Sequence, residues 1–117
     1  MLSVGVGSRK EDMIREASPS NDLIARLVAK TIELGGNELD VEYKDGRESV
    51  CAMRDNVGFG IASLDSSSAE ARELRNRLYT MTKKKTSITV RGKSYALKAE
   101  LYDSFGEDAF RVAIREK

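Results

Sequence analysis

Apolar and polar residues alternate along residues 87–115 in three separate runs. Ile88 and Val90 are offset from Thr89 and Arg91; Tyr95, Leu97, Ala99 and Leu101 from Lys98, Glu100 and Tyr102; and Phe110, Val112 and Ile114 from Arg111 and Arg115. A period of two with one apolar side predicts three antiparallel strands, dry on one face and wet on the other. Gly92 and the run 103–108 supply the two reversals. The same alternation occurs earlier, where Leu39, Val41 and Tyr43 interleave with Asp40, Glu42 and Lys44 before the hairpin signal Asp45-Gly46. The return strand, residues 48–54, is apolar from Val50 to Met53, so either of its faces suits a core. Asp55, Asn56, Val57 and Gly58 then turn the chain, and residues 59–64 predict a short third strand weakened by Gly60.

Helical spacing separates these strand groups. Pro19, Ser20, Asn21 and Asp22 open a first helix with side-chain oxygens suited to capping; Ile24, Leu27, Val28 and Ile32 share a face, and Gly35-Gly36 ends it. Ser67, Ser68, Ala69 and Glu70 fit a capping box, in which serine and glutamate each satisfy a backbone donor of the other. Ala71, Leu74, Leu78 and Met81 then make the buried stripe of a second helix, with Arg72, Glu73, Arg75 and Arg77 mainly toward water. Lys83, Lys84 and Lys85 follow at the negative end of the helix dipole.

The predicted order is α-β-β-β-α-β-β-β. At an offset of 47, Ile24 meets Ala71, Leu27 meets Leu74, Val41 meets Ile88 and Tyr43 meets Val90. This spacing predicts an internal repeat of a helix plus a three-strand meander, with units at about residues 21–65 and 66–115 related by an approximate two-fold. Residues 1–18, with two isolated glycines and the charged run 9–12, read as a mobile N-terminal arm; residues 19–117 form a single α+β domain. The two helices should lie on one face of an antiparallel sheet, over a core containing Leu27, Val41, Leu74, Leu78, Leu97 and Val112. In element order alone, residues 21–81 resemble double-stranded RNA-binding domains. If residues 59–64 are not a separate strand, the order resembles roadblock-type, profilin-like adaptor domains.

Composition changes this picture in one respect. The net charge is only +1, yet residues 1–65 carry eight basic against twelve acidic residues, and residues 66–117 twelve against seven. An acidic half joined to a basic half suggests complementary association. No apolar run approaches the ~20 residues that span a bilayer, and the start of the chain lacks the compact apolar stretch of a secretory signal. Cys51 is the sole cysteine, so no internal disulfide forms and a cytoplasmic setting is expected.

Candidate chemistry is mostly exclusion. The chain has no histidine, which removes Ser-His-Asp and Cys-His catalysis and imidazole ligation. Cys51 sits within a strand, where packing is its expected role. Asp103, Glu107 and Asp108 at a hairpin tip are the best-placed group for a hard cation, but their spacing matches no calcium loop, and no metal or cofactor is assigned. On the wet side of the C-terminal sheet, Lys98, Tyr102, Arg111 and Arg115 form the candidate interaction surface. The leading expectation is a non-enzymatic cytoplasmic module that binds protein through its sheet face or an edge strand, with a homodimer as one form. The alternative is a nucleic-acid-binding domain whose basic sheet face stacks bases on Tyr102. A small-ligand site or enzyme comes third, and no membrane association is expected.

Overall fold

A computed structural model describes residues 19–117, so the predicted arm at residues 1–18 lies outside the described residues. Two helices and six strands follow in the expected order: α1 (Pro19–Glu33), β1 (Glu38–Lys44), β2 (Arg47–Arg54), β3 (Val57–Asp65), α2 (Ala69–Met81), β4 (Thr86–Val90), β5 (Lys93–Ser104) and β6 (Glu107–Glu116). The strands form one antiparallel sheet in the order β3-β2-β1-β6-β5-β4. No helix among the described residues is long and apolar enough to cross a membrane.

Turn chemistry defines the strand ends. Each of the four hairpins turns on two residues with positive φ: Asp45-Gly46, Asp55-Asn56, Arg91-Gly92 and Phe105-Gly106. Two successive left-handed residues match the right-handed twist of the strands they join. The second and fourth turns are therefore tighter than expected, and Val57, Gly58 and Asp103 belong to strands. β3 is a full nine-residue strand, so the condition for the roadblock-type order is not met.

The end of α1 is built by glycine. Gly35, at φ +81°, donates to the Ile32 carbonyl at 2.9 Å and Gly36 to that of Thr31 at 2.9 Å, a Schellman arrangement. A Cβ on Gly36 would lie 2.8 Å from the Met53 carbonyl oxygen, so the helix end is pressed against β2. At α2 the cap is Ser68, whose hydroxyl accepts from the Ala71 N–H at 3.1 Å. The capping-box frame is thus displaced by one residue. Ser67 instead donates its backbone N–H and hydroxyl to Asp65, which leaves Glu70 without its reciprocal role.

Paired residues across adjacent strands face the same way, so the register assigns the faces. Leu39 lies between Ala52 and Val112, and Val41 between Val50 and Phe110. Ala99 extends the first row and Leu97 pairs with Ile114. These residues join Ile24, Leu27, Val28, Leu74, Leu78 and Met81 in one buried cluster, so both helices cover the same face and pack on each other. All six expected core residues are buried. The ambiguous β2 is settled by parity: Glu48, Val50 and Ala52 point to the helices, and Ser49, Cys51 and Met53 to the open face.

Among the described residues Glu48 is the charged exception in this core, at 2% exposure, while buried Thr31 donates its hydroxyl to the Leu27 carbonyl. Arg75 donates to Glu48 at 2.6 Å and Ser66 at 2.9 Å. Arg75 therefore turns inward from the face expected to meet water, because a buried carboxylate without partners would cost several kcal/mol. Tyr79 reaches in the other direction: its ring meets Phe110 edge-on at 5.0 Å and its hydroxyl donates to Asp108.

Both meanders progress across the sheet toward the β3 edge, yet β1 and β4 run antiparallel to each other. With both helices on one face, the two helix-plus-meander units have opposite hands. No rotation superposes such units, so the approximate two-fold expected for residues 21–65 and 66–115 does not describe their relation. What recurs is the order of elements.

Candidate functional site

The open face of the sheet is a grid whose rows cross β5, β6 and β1. Lys98, Ala113 and Glu38 share a row; Glu100, Arg111, Asp40 and Cys51 share the next; Tyr102, Ala109, Glu42 and Ser49 the one after. Lys98, Tyr102, Arg111 and Arg115 therefore all lie on one face, as the alternation predicted. They do not act as one surface, however, because β1 brings a column of three carboxylates beside β6.

Arg111 and Tyr102 are engaged by that column. The Arg111 Nε lies 3.1 Å from Glu38 Oε2 and 3.8 Å from Asp40 Oδ1. Its guanidinium covers the Tyr102 ring, 4.8 Å from the centroid, and the Tyr102 hydroxyl donates to Glu42 at 3.1 Å. Burial, with Glu42 and Asp40 nearby, pushes the Tyr102 hydroxyl up to about 12. One face of the ring is thus occupied and its edge is tied to an acid.

Asp40 is the strained member of the column. Its Oδ1 is buried and makes no hydrogen bond, since Arg111 stands too far away. Desolvation, followed by the neighbouring Glu38 carboxyl, pushes Asp40 up to about 7, against the pull of Arg111. Half-buried Cys51 lies in the same row, and burial with the charges of Asp40 and Glu42 raises its thiol. A raised thiol is a poor nucleophile, which agrees with a packing role.

Lys98 and Arg115 belong to a different environment. They line an open trough of about 870 Å³ together with Lys83, Lys84, Lys85 and Lys117, and among the described residues no carboxylate side chain lines it. Its floor is small and apolar, including Ala96 and Ala113. The three lysines after α2 come close to Lys98 because β4 begins at Thr86, opposite Leu97, and the chain leaves the sheet edge there. Along the sequence the three lysines stand only as the end of α2, with nothing that ties them to the sheet face. Knowledge of which β5 residue faces Thr86 would have joined them, and the sequence carries no signal for that register.

The early departure of β4 also leaves β5 incompletely paired. β4 covers residues 93–97, while residues 98–104 pair with β6 alone among the described residues. Lys117 donates to the Ser94 carbonyl at 3.0 Å, so Ser94 bonds toward β6. Even-numbered residues of β5 hence bond toward β6, and odd-numbered ones toward the β4 side. Among the described residues Ala99, Leu101 and Asp103 have no strand partner on that side; Leu101 and Asp103 are exposed there, whereas Ala99 is buried. Leu101 is 46% exposed there although it points to the helix face.

The hairpin-tip carboxylates do not converge. Asp103 accepts from the Gly106 N–H at 3.3 Å and Asp108 from Tyr79, and no cluster suited to a metal ion occurs among the described residues. No family model matches the chain, and no curated protein matches its sequence.

Proposed function

We propose that this chain is a non-enzymatic protein-interaction module whose partner is acidic and is received in the trough between the lysines after α2 and the C-terminal sheet. The observation that carries this reading is six basic side chains around one open depression, with no carboxylate side chain in its lining among the described residues. Such a surface focuses potential and draws an anionic partner at a salt-sensitive rate. The apolar floor supplies the burial from which most affinity has to come. A cytoplasmic setting accords with the single half-buried thiol. A second copy of the chain is not required: Arg111 already engages the acidic column, and Arg91 lies 3.5 Å from Glu33.

Nucleic acid is the second reading, favoured by the same cations, which would take phosphates equally well. Against it stands Tyr102, the aromatic a base would stack on, covered by Arg111 and bonded to Glu42. Titration with poly-glutamate and with a single-stranded oligonucleotide, each at low and high salt, separates the two. Poly-glutamate binding that weakens with salt and is lost in a Lys84→Glu, Lys85→Glu variant supports the protein reading. Binding of the oligonucleotide alone replaces it with the second reading, and binding of neither overturns both.

A further inference from the structure

We infer that the partner docks as an added β-strand on the free edge of β5, antiparallel to residues 98–104 and in line with β4. This inference rests on the acidic-partner reading and names how the partner sits. Leu101 and Asp103 are exposed and hold backbone donors and acceptors that have no partner among the described residues, in an already formed strand, which is the template that strand addition requires. The trough lies at one end of this edge, with Ala99 and Lys98 in its lining.

The register dictates the chemistry of the docked segment. In an antiparallel pair, a residue exchanging both backbone bonds with Leu101 points its side chain to the same face as Leu101. β4 follows this rule: Thr86 and Ile88 lie opposite Leu97 and Tyr95. Residues of the partner that bond to the edge are accordingly apolar and cover Leu101. The intervening residues point to the open face, where one meets Lys98 and the next meets Glu100. An acidic side chain fits opposite Lys98 and a neutral one opposite Glu100. Because the docked strand runs antiparallel to β5, its C-terminal end arrives at Lys83, Lys84 and Lys85. The partner segment is thus extended, apolar at alternate positions, and acidic at its C-terminal end.

The β3 edge is also unpaired among the described residues, but β3 carries no basic residue to match the lysines beside β5, and it serves as the control. The probe is a short synthetic peptide of sequence Val-Thr-Val-Thr-Val-Glu-Glu, with one twin N-methylated at the valines and one at the threonines. Strand addition predicts that amide exchange of Leu101 and Asp103 slows by about tenfold or more, while Lys98, Glu100 and Tyr102, already bonded to β6, are unchanged. The valine-methylated twin should lose about tenfold or more in affinity and the threonine-methylated twin should keep it. Leu101→Pro should abolish peptide binding yet leave the fold intact, because it removes only an unpaired donor. Phe59→Ala on the β3 edge should have no effect. Equal binding of both twins overturns strand addition while leaving the acidic-partner reading standing. Failure of the parent peptide to bind at low salt, in a protein that still binds poly-glutamate, also overturns it. Failure of both ligands removes the reading on which it rests.

Discussion

Replacing Asp40 by asparagine tests the electrostatics of the open face directly. The carboxyl is buried at Oδ1, flanked by Glu38, and raised from 3.8 to about 7. A folded-state value above the unfolded one means that the folded chain holds the extra proton. Stability is then full below about pH 4 and is lost as pH rises toward 7. The rise corresponds to about 4 kcal/mol in an unscreened site, at ~1.4 kcal/mol for each tenfold change. Solvent on the open face reduces this to about 1–2 kcal/mol. Urea unfolding of the native chain at about pH 5 and about pH 8 should show the larger part of that loss, the rest falling below pH 5, and Asp40→Asn should flatten it. Glu33 and Asp65 do not confuse the window. Their carboxyls are held below the ordinary range, by a hydrogen bond from Lys30 and by one from Ser67 respectively, so their contribution is lost only in more acidic solution. An equal pH slope in the native chain and the variant would refute the reasoning, and would mean that water reaches Asp40 freely.

Other substitutions probe the remaining layers. Leu74→Ala, at a fully buried position on α2, should cost about 2–5 kcal/mol by chemical denaturation, and a loss below ~1 kcal/mol would place the helix wrongly. Arg75→Ala leaves Glu48 buried with only Ser66 as partner and should cost about 3–5 kcal/mol; a negligible loss would show that water replaces the guanidinium. Gly36→Ala, which sets a methyl group 2.8 Å from the Met53 carbonyl oxygen, should cost about 1–3 kcal/mol as the α1–β2 contact is forced apart. Cys51, half-buried and with its thiol raised, should react with an aromatic disulfide reagent about tenfold or more slowly than free cysteine, and equal rates would contradict the burial.

Periodicity revealed what periodicity encodes. The apolar faces of β1, β5, β6, α1 and α2 were legible because each repeats at 2.0 or 3.6 residues over several turns of pattern. Hairpin positions were legible from Asp45-Gly46 and Gly92, residues that tolerate positive φ. Asp55-Asn56 and Phe105-Gly106 were read as longer turns because the polar residues around them are equally at home at strand ends. The candidate surface was legible as a face but not as a site. Whether Arg111 is available depends on β1 lying beside β6, a pairing between residues more than sixty positions apart that leaves no local trace. The same holds for Arg75, which reads as a solvent-facing helix residue until Glu48 is placed beneath it. The repeat was suggested by spacing, but spacing does not carry handedness.

The strand order has a consequence for how the chain reaches this state. All four hairpins, β1–β2, β2–β3, β4–β5 and β5–β6, close on two-residue turns, so those pairings are local and form early. The central seam is different, since Glu38 pairs with Ala113 and Glu42 with Ala109. Closing it brings together segments separated by nearly the whole domain, after every other element has been made. Until then the two meanders each hold a naked inner edge, β1 on one and β6 on the other, and the sheet is completed only when β6 inserts against β1. Folding should be limited by that insertion, and mutations in β6 such as Val112→Ala should slow refolding more than equally destabilising changes in β2 or β3. β6 is the keystone of the sheet, and a partner segment that resembles it would compete for β1 during that interval.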